Sequence, residues 1–306
     1  MKRYIIYRIF ISLATIWLLA TVSFFLLRSL PGNPFQTEMP ISVEMQEQLM
    51  QYYGLDQPIL RQYVSYMGNL LQGDMGYSIK YTNRTVNGII ANAFPVSASL
   101  GLRALAFAIP VGMFFGIVSA RKRGHALDYS LVLIAVIGMS VPSFILGSAL
   151  QYLFGVQWSV LPVAQWKGFA YTILPTLAMG MTMVASLTRT MRASMLEVIS
   201  QDYIKTAKSK GVSERQIVWR HQIRNALLPV VTNLGPLIAT TLMGTFVIEQ
   251  IFAIPGLGRH FVMSVQALDY TMVLGLTVFY GSFLVFLNFA VDLAYGLIDP
   301  RIRITK

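Results

Sequence analysis

The residues best placed to do chemistry lie between Asp202 and Pro229, where DYIKTAKSKGVSERQIVWRHQIRNALLP interrupts an otherwise apolar second half. Lys205, Lys208, Lys210, Arg215, Arg220 and Arg224 make this stretch a cationic surface, suited to docking onto something else. Other candidates fall short. Gly68 and Gly73 have the separation of a phosphate-cradling loop, but Asp74 stands where that loop needs Lys. The sequence has no His-Glu-x-x-His and no Gly-x-Ser-x-Gly, and cysteine is absent. His125, His221 and His260 fall in different segments, and for His221 a structural hydrogen bond is expected. Asp128, Asp269 and Asp299 are read as caps or solvated charges. No catalytic residue, metal site or resident cofactor is expected, and the chain is not read as an enzyme.

The element that presents the basic run is punctuated as helix, turn and helix. Gly211 follows a Lys-rich helical run, as a left-handed C′ glycine does. Ser213 offers an N-cap with Glu214 in the first turn, and Pro229 is expected to end or kink the second run. Its apolar side holds little beyond Ile204, Val212, Ile217, Val218 and Trp219.

Composition says what surrounds it. Of 306 residues, 55% are hydrophobic and 12% charged, and the mean hydropathy is +0.58. Such a chain belongs in a membrane. The net charge of +11 has two readings, a nucleic-acid surface or cytoplasmic loops that follow the positive-inside bias. Ile9 to Leu27 is an uncharged run preceded by Lys2, Arg3 and Arg8. It is long for a signal peptide, and Arg28-Ser29-Leu30-Pro31 is no cleavage site, so it reads as an uncleaved first span. Five further spans are expected at Val96–Ala120, Ser130–Gly155, Thr172–Met191, Ala226–Phe252 and Thr271–Leu297. With the N-terminus inside, most of the 24 Lys and Arg fall on inner segments; only Arg28, Arg61, Lys80, Arg84, Arg103, Lys167 and Arg259 do not. That distribution absorbs the excess charge without nucleic acid and puts both termini in the cytoplasm.

Residues 31–93 form an external helical segment between the first two spans. Ser42 can cap one helix that stops at Gly54. Pro58 can open another, ending at Gly73, with Leu60, Tyr63, Val64, Met67 and Leu71 on one face. The remaining division is residues 1–30 for the N-terminus and first span, 94–298 for the five-helix core with a cytoplasmic loop at 192–225, and 299–306 for the tail. Pro110, Gly112, Gly116, Pro142, Pro175, Gly235, Pro236, Gly275 and Gly281 lie inside spans. Close packing through small residues or a path for solute would each use such positions. Candidates for that path or its gate are Arg103, Pro142, Met179, Met183, Asn233 and Glu249. Arg103 is about 10 Å into its span at ~1.5 Å per residue. It could snorkel outward, pair with Glu249, or meet a solute carboxylate.

Tyr203 to Gly211, then His221 and Arg224-Asn225-Ala226-Leu227-Leu228-Pro229, resemble the cytoplasmic loop of permease subunits of binding-protein-dependent ABC importers. Lys205-Thr206-Ala207 departs from that family's usual Glu-Ala-Ala and is similar to the form of its peptide/nickel branch. Further matches run in family order through nearly the whole chain: Pro31-Gly32-Asn33-Pro34, Gly73 to Ser78, Val247-Ile248-Glu249, Ile254 to Gly258, Asp269-Tyr270 and Asp299 to Arg303. Ser78-Ile79-Lys80-Tyr81 and Phe94 to Ala98 look most like the first of two oligopeptide permease subunits. The resemblance implies an all-α polytopic fold of six transmembrane helices, the type I importer permease. It further implies a sister permease, two cytoplasmic ATPases that carry ATP and Mg, an external solute-binding protein, and a bacterial cell membrane. On it, Asp202, Tyr203, Lys205, Thr206, Ala207, Lys208, Lys210 and Gly211 form the helix that couples to an ATPase. His221, Arg224, Asn225 and Pro229 support that helix. The expected substrate is an oligopeptide, with dipeptides, nickel or another small solute as alternatives. A basic loop attracted to anionic lipid is the competing reading of the segment. A stand-alone secondary transporter is the competing reading of the chain, though no internal repeat is apparent.

Overall fold

A computed structural model of the chain describes residues 2–29, 43–81 and 83–298, with side chains described up to residue 290. The Ser42 cap, the Pro31-to-Pro34 motif, Asp299 and the 299–306 tail lie outside these residues. The chain divides into two compact units, Met1–Pro95 with Gly256–Lys306, and Val96–Pro255.

The first unit contains α1 (Lys2–Ser29), α2 (Val43–Tyr52) and α3 (Ile59–Leu71). It also holds the start of α4 (Val86–Arg121), and the late helices introduced below. α1 leaves Ile6, Phe10, Leu13 and Trp17 exposed, as a lipid-facing helix does. The short helices start and stop where the sequence predicts: Pro58 sits at the N-cap of α3, and Gly54 and Gly73 have φ of +64° and +78°. The inward face of α3 differs. Leu60, Val64 and Leu71 are exposed, at 72%, 63% and 86%, whereas Tyr63, Tyr66, Met67 and Leu70 are half-buried. Phe24 stacks on Tyr66 at 5.4 Å, and Tyr63 donates to or accepts from Thr21 Oγ1 at 2.8 Å. Aromatic contact with α1 thus set the rotation of α3, which an apolar count cannot see.

α4 runs unbroken through Pro95, so this span begins ten residues before its predicted start at Val96. In the second unit follow α5 (Ala126–Ser140), α6 (Ser143–Leu150) continued by a π-helical stretch (Gln151–Gln157), and α7 (Ala170–Ile199). The predicted third span is therefore two helices, bent by 103°. Pro142 lacks an N–H and pushes Val141 to an extended conformation (φ −85°, ψ 119°), which ends α5. Then come α8 (Asp202–Ser209), α9 (Glu214–Gln216), a second π-helical stretch (Ile217–Ile223), α10 (Arg224–Leu242) and α11 (Phe246–Ile251). Pro229 lies inside α10 and does not end it; membrane helices tolerate Pro where neighbours re-satisfy the freed carbonyl. The predicted fifth span breaks instead before α11, at Gly244 (φ +82°). The first unit is completed by α12 (Leu257–Gln266) and α13 (Tyr270–Ile298).

The core of the second unit is built on α4 and α7, around Leu100, Ala104, Leu174, Ala178, Leu187 and Met191. The glycines explain how close they come: a Cβ on Gly112 or Gly116 would stand 2.7 Å from Leu187 Cβ or 2.6 Å from Met191 Cβ. At these positions the small residue serves packing. Among the described residues, five helices are long and apolar enough to cross a membrane, and six spans result if the bent α5–α6 pair counts as one. This is an all-α polytopic membrane protein.

Candidate functional site

The basic segment folds around a miniature core. Ile204 and Ala207 of α8 are buried against Ile217, with Val212 packed beside them. Turning these inward leaves Lys205, Lys208 and Lys210 exposed on the outside of α8. Asp202 in the first turn and Lys208 in the last complement the helix dipole. Lys205 Nζ meets Asp202 Oδ1 at 2.8 Å, an exposed pair of small worth. Gly211 has φ +73°, as its place in the sequence predicts. Gly211 N donates to Lys208 O (3.0 Å) and Val212 N to Ala207 O (3.2 Å). These are the two bonds of a Schellman turn, closed by the contact of Val212 with the miniature core. Ser213 takes the N-cap position, but its side chain makes no capping bond, and Trp219 is 64% exposed.

Three connections tie this segment to the spans. Asn225 Nδ2 donates to His221 O (2.6 Å) and to Tyr203 Oη (3.2 Å), joining the start of α8 to that of α10. Ser194 Oγ donates to Ala226 O at 2.9 Å, fastening α7 to α10. Just before α8, Arg192 of α7 grips Asp128 of α5 with two bonds, Nε to Oδ1 and Nη2 to Oδ2, both 2.9 Å. Asp128 also accepts from Ser119 Oγ of α4 and from Gly124 N. The expected cap or solvated charge at Asp128 is thus one side of an ion pair binding three helices, with Asp128 only 3% exposed and Arg192 half-buried. Arg224 and Pro229 are exposed. The arrangement can carry mechanical displacement from α8 into α5, α7 and α10.

The path candidates lie in different environments. Met179 and Met183 are 2% and 8% exposed and belong to the core, with Met183 Sδ accepting from Thr241 Oγ1 at 3.8 Å. Pro142 and Asn233 are exposed. Arg103 does not pair with Glu249. Its Nη1 donates to Thr172 Oγ1 (3.2 Å), its Nε to Ser99 Oγ (3.5 Å), and the guanidinium lies 5.4 Å from the Phe169 ring. Glu249, fully buried, accepts from Ser97 Oγ at 2.7 Å.

In the first unit, Asp269 does more than cap α13. It is fully buried and accepts from Ser78 Oγ, Ile79 N (3.1 Å), Lys80 N (3.1 Å) and Met272 N (3.0 Å). Asn87 clasps the same loop, donating to Gly73 O (2.7 Å) and accepting from Met75 N (2.9 Å). The Gly73-to-Ser78 and Asp269-Tyr270 motifs, distant in sequence, are two halves of one clamp.

Residues 112–304 match the family described as binding-protein-dependent transport system inner membrane component, and residues 1–101 match its N-terminal counterpart. A dipeptide transport system permease protein, DppB of Bacillus subtilis, is 44% identical over 306 residues, covering 100% of this chain and 99% of its own. The oligopeptide transport system permease proteins OppB of Haemophilus influenzae and Escherichia coli K12 are 40% and 38% identical over 305 residues, each covering 99% of this chain and 100% of their own. Among solved structures, an amino acid ABC transporter crystallised with histidines superposes with TM-score 0.55 at 13% identity, over 68% of this chain and 92% of that one. That likeness concerns the fold alone. Together with the apolar helices, these matches show that the chain belongs to the binding-protein-dependent transport system inner membrane components and is a multi-pass membrane permease subunit.

Proposed function

We propose that this chain is half of the translocation path of an ATP-driven importer of short peptides. A sister permease supplies the other half, two cytoplasmic ATPases bind ATP and Mg, and an external solute-binding protein delivers the peptide. α8 is the coupling helix, seated in an ATPase groove, and both termini lie in the cytoplasm. The observation that carries this reading is the construction of α8: a cationic outer face on a segment that the Schellman turn, Asn225 and the Asp128–Arg192 pair make rigid. Closure of the ATPases moves α8, and a rigid lever passes that movement to the spans. Relatives named for dipeptide and for oligopeptide transport are about equally similar, which supports peptide as the class without fixing its length.

The test is to purify the tagged full chain from its native membrane. ATPase subunits should come with it, and the reconstituted complex with its binding protein should take up di- to pentapeptides only when ATP is supplied. Uptake by the chain alone, driven by an ion gradient, would overturn the reading. Uptake of nickel without peptide would overturn the substrate class.

A further inference from the structure

The first unit holds a cavity of about 530 Å³ between α2, α3, the end of α1 and the start of α13, lined by none of the groups assigned above to coupling. Among the described residues, three residues of its lining each carry a buried polar atom without a hydrogen-bond partner: Arg28 (Nε), Gln62 (Oε1) and Tyr66 (Oη). Gln62 is held by its amide nitrogen, which donates to Leu55 O (3.2 Å) and Gln57 O (2.7 Å), so its oxygen is fixed in place. Arg28 lies against the rings of Phe24 (5.5 Å) and Tyr270 (5.6 Å). Those contacts stabilise the cation but use none of its N–H donors. Burial pushes the Tyr66 phenol up to about 12, so it keeps its proton as a donor throughout the physiological range. Buried polar groups left unmatched by the chain itself ask for a ligand or partner atoms.

The charges say which ligand. Among the described residues, Arg28 and Asp74 are the charged side chains of the lining. Asp74 spends one oxygen on Gly76 N at 2.8 Å and keeps the other. One guanidinium and one carboxylate, with amides and phenols between them, complement a zwitterion. A dianionic phosphate would face Asp74 without compensation. The volume lies within the ~300–1,000 Å³ of small-molecule sites. We propose that this cavity binds an amino acid or short peptide as its zwitterion, the carboxylate toward Arg28 and the ammonium toward Asp74. It is a station separate from the second unit's core. The choice of peptide as probe rests on the proposed function; the site itself does not.

The full-length chain, in phosphatidylcholine nanodiscs without partner subunits, is titrated calorimetrically with the dipeptide Ala-Phe, its N-acetyl form and its C-terminal amide. The zwitterion should bind and each capped form should bind at least about tenfold more weakly, as the loss of one charge-assisted contact implies. Arg28→Gln should weaken binding by a similar factor. So should Asp74→Asn, which removes the carboxylate charge at an exposed position and keeps an oxygen for Gly76 N. Arg103→Ala, in the other unit, should bind as the unmodified chain does. Absence of binding, equal binding of the capped forms, or undiminished binding by folded Asp74→Asn would each overturn the site. Loss of dipeptide binding when phosphatidylglycerol replaces phosphatidylcholine would assign the cavity to an anionic lipid headgroup instead. If the complete transporter imports peptides while no binding is seen here, only this inference fails. If binding is seen and peptide uptake is not, only the proposed function fails.

Discussion

At the scale of single residues, the buried carboxylates carry the most consequence. Asp128 and Arg192 are 64 residues apart in sequence, and no local pattern relates them. Each reads as an ordinary charge at a span end until the helices are packed. Removing one member leaves an unpaired charge among buried groups, a cost of about 3–5 kcal/mol, whereas apolar replacement of both is often tolerated. Asp128→Leu and Arg192→Met should therefore each lower the thermal midpoint and uncouple ATP hydrolysis from uptake, and the two together should recover most of the stability. If the double variant is as unstable as the sum of the singles, the pair is not the cause. Arg103 and Glu249 should behave in the opposite way. Their partners are different, Thr172 and Phe169 for one and Ser97 for the other. The losses from Arg103→Ala and Glu249→Ala should add to within about 0.5 kcal/mol, the range expected of uncoupled sites. Recovery in that double variant would restore the ion pair as an explanation.

At the scale of elements, stops and starts were legible and rotations were not. Gly54, Gly73 and Gly211 announce left-handed helix ends because few other residues adopt that conformation cheaply, and all three have it. The 103° bend at Pro142 is only half legible: proline predicts an interruption, but its angle depends on what α6 packs against. The two π-helical stretches have no signal in composition, and the face of α3 was decided by Phe24 and Thr21 of a different helix. Of the basic segment, the Schellman turn could be foreseen and the Asn225 bridge could not, since it joins residues across 22 positions. Gly211 permits a clean test of the lever. Nothing lies within 4 Å of a Cβ built there, so a side chain would meet no neighbour and any penalty is backbone strain. That strain is about 1–2 kcal/mol for a branched residue. Gly211→Val should insert and fold yet lose ATPase association or peptide-stimulated hydrolysis. Gly211→Asn, which tolerates positive φ, should keep most of both. Unmodified transport by Gly211→Val would show that the angle of α8 does not matter.

At the scale of the whole molecule, the class was legible because a membrane leaves the backbone few choices. A span must be helical to satisfy its own hydrogen bonds, and it must be long and apolar, so both signals are written in composition. The division into two units was not legible, because α4 passes from one to the other without a Gly or Pro that interrupts it. The orientation proposed above rests on charge alone: the basic residues cluster on the segments after the second, fourth and sixth spans and before the first, and such loops are the ones retained on the cytoplasmic side. The natural absence of cysteine makes this testable without background. Single cysteines belong at exposed positions whose backbone accepts them. Gln48 in α2 and Lys167 before α7 serve for the outer side, and Arg123 and Ser209 for the inner. Gln165 and Gly124, their neighbours in sequence, have φ of 94° and 79° and would add strain to the readout. In intact cells a membrane-impermeant maleimide should label Gln48→Cys and Lys167→Cys. Arg123→Cys and Ser209→Cys should react only after permeabilisation. Because α5 and α6 meet at 103°, the pair Arg123 and Lys167 decides the count of crossings: they flank that pair and must label from opposite sides if it spans. Labelling of both from the same side would make α5–α6 re-entrant, and labelling of Ser209→Cys from outside would place α8 beyond the reach of any ATPase.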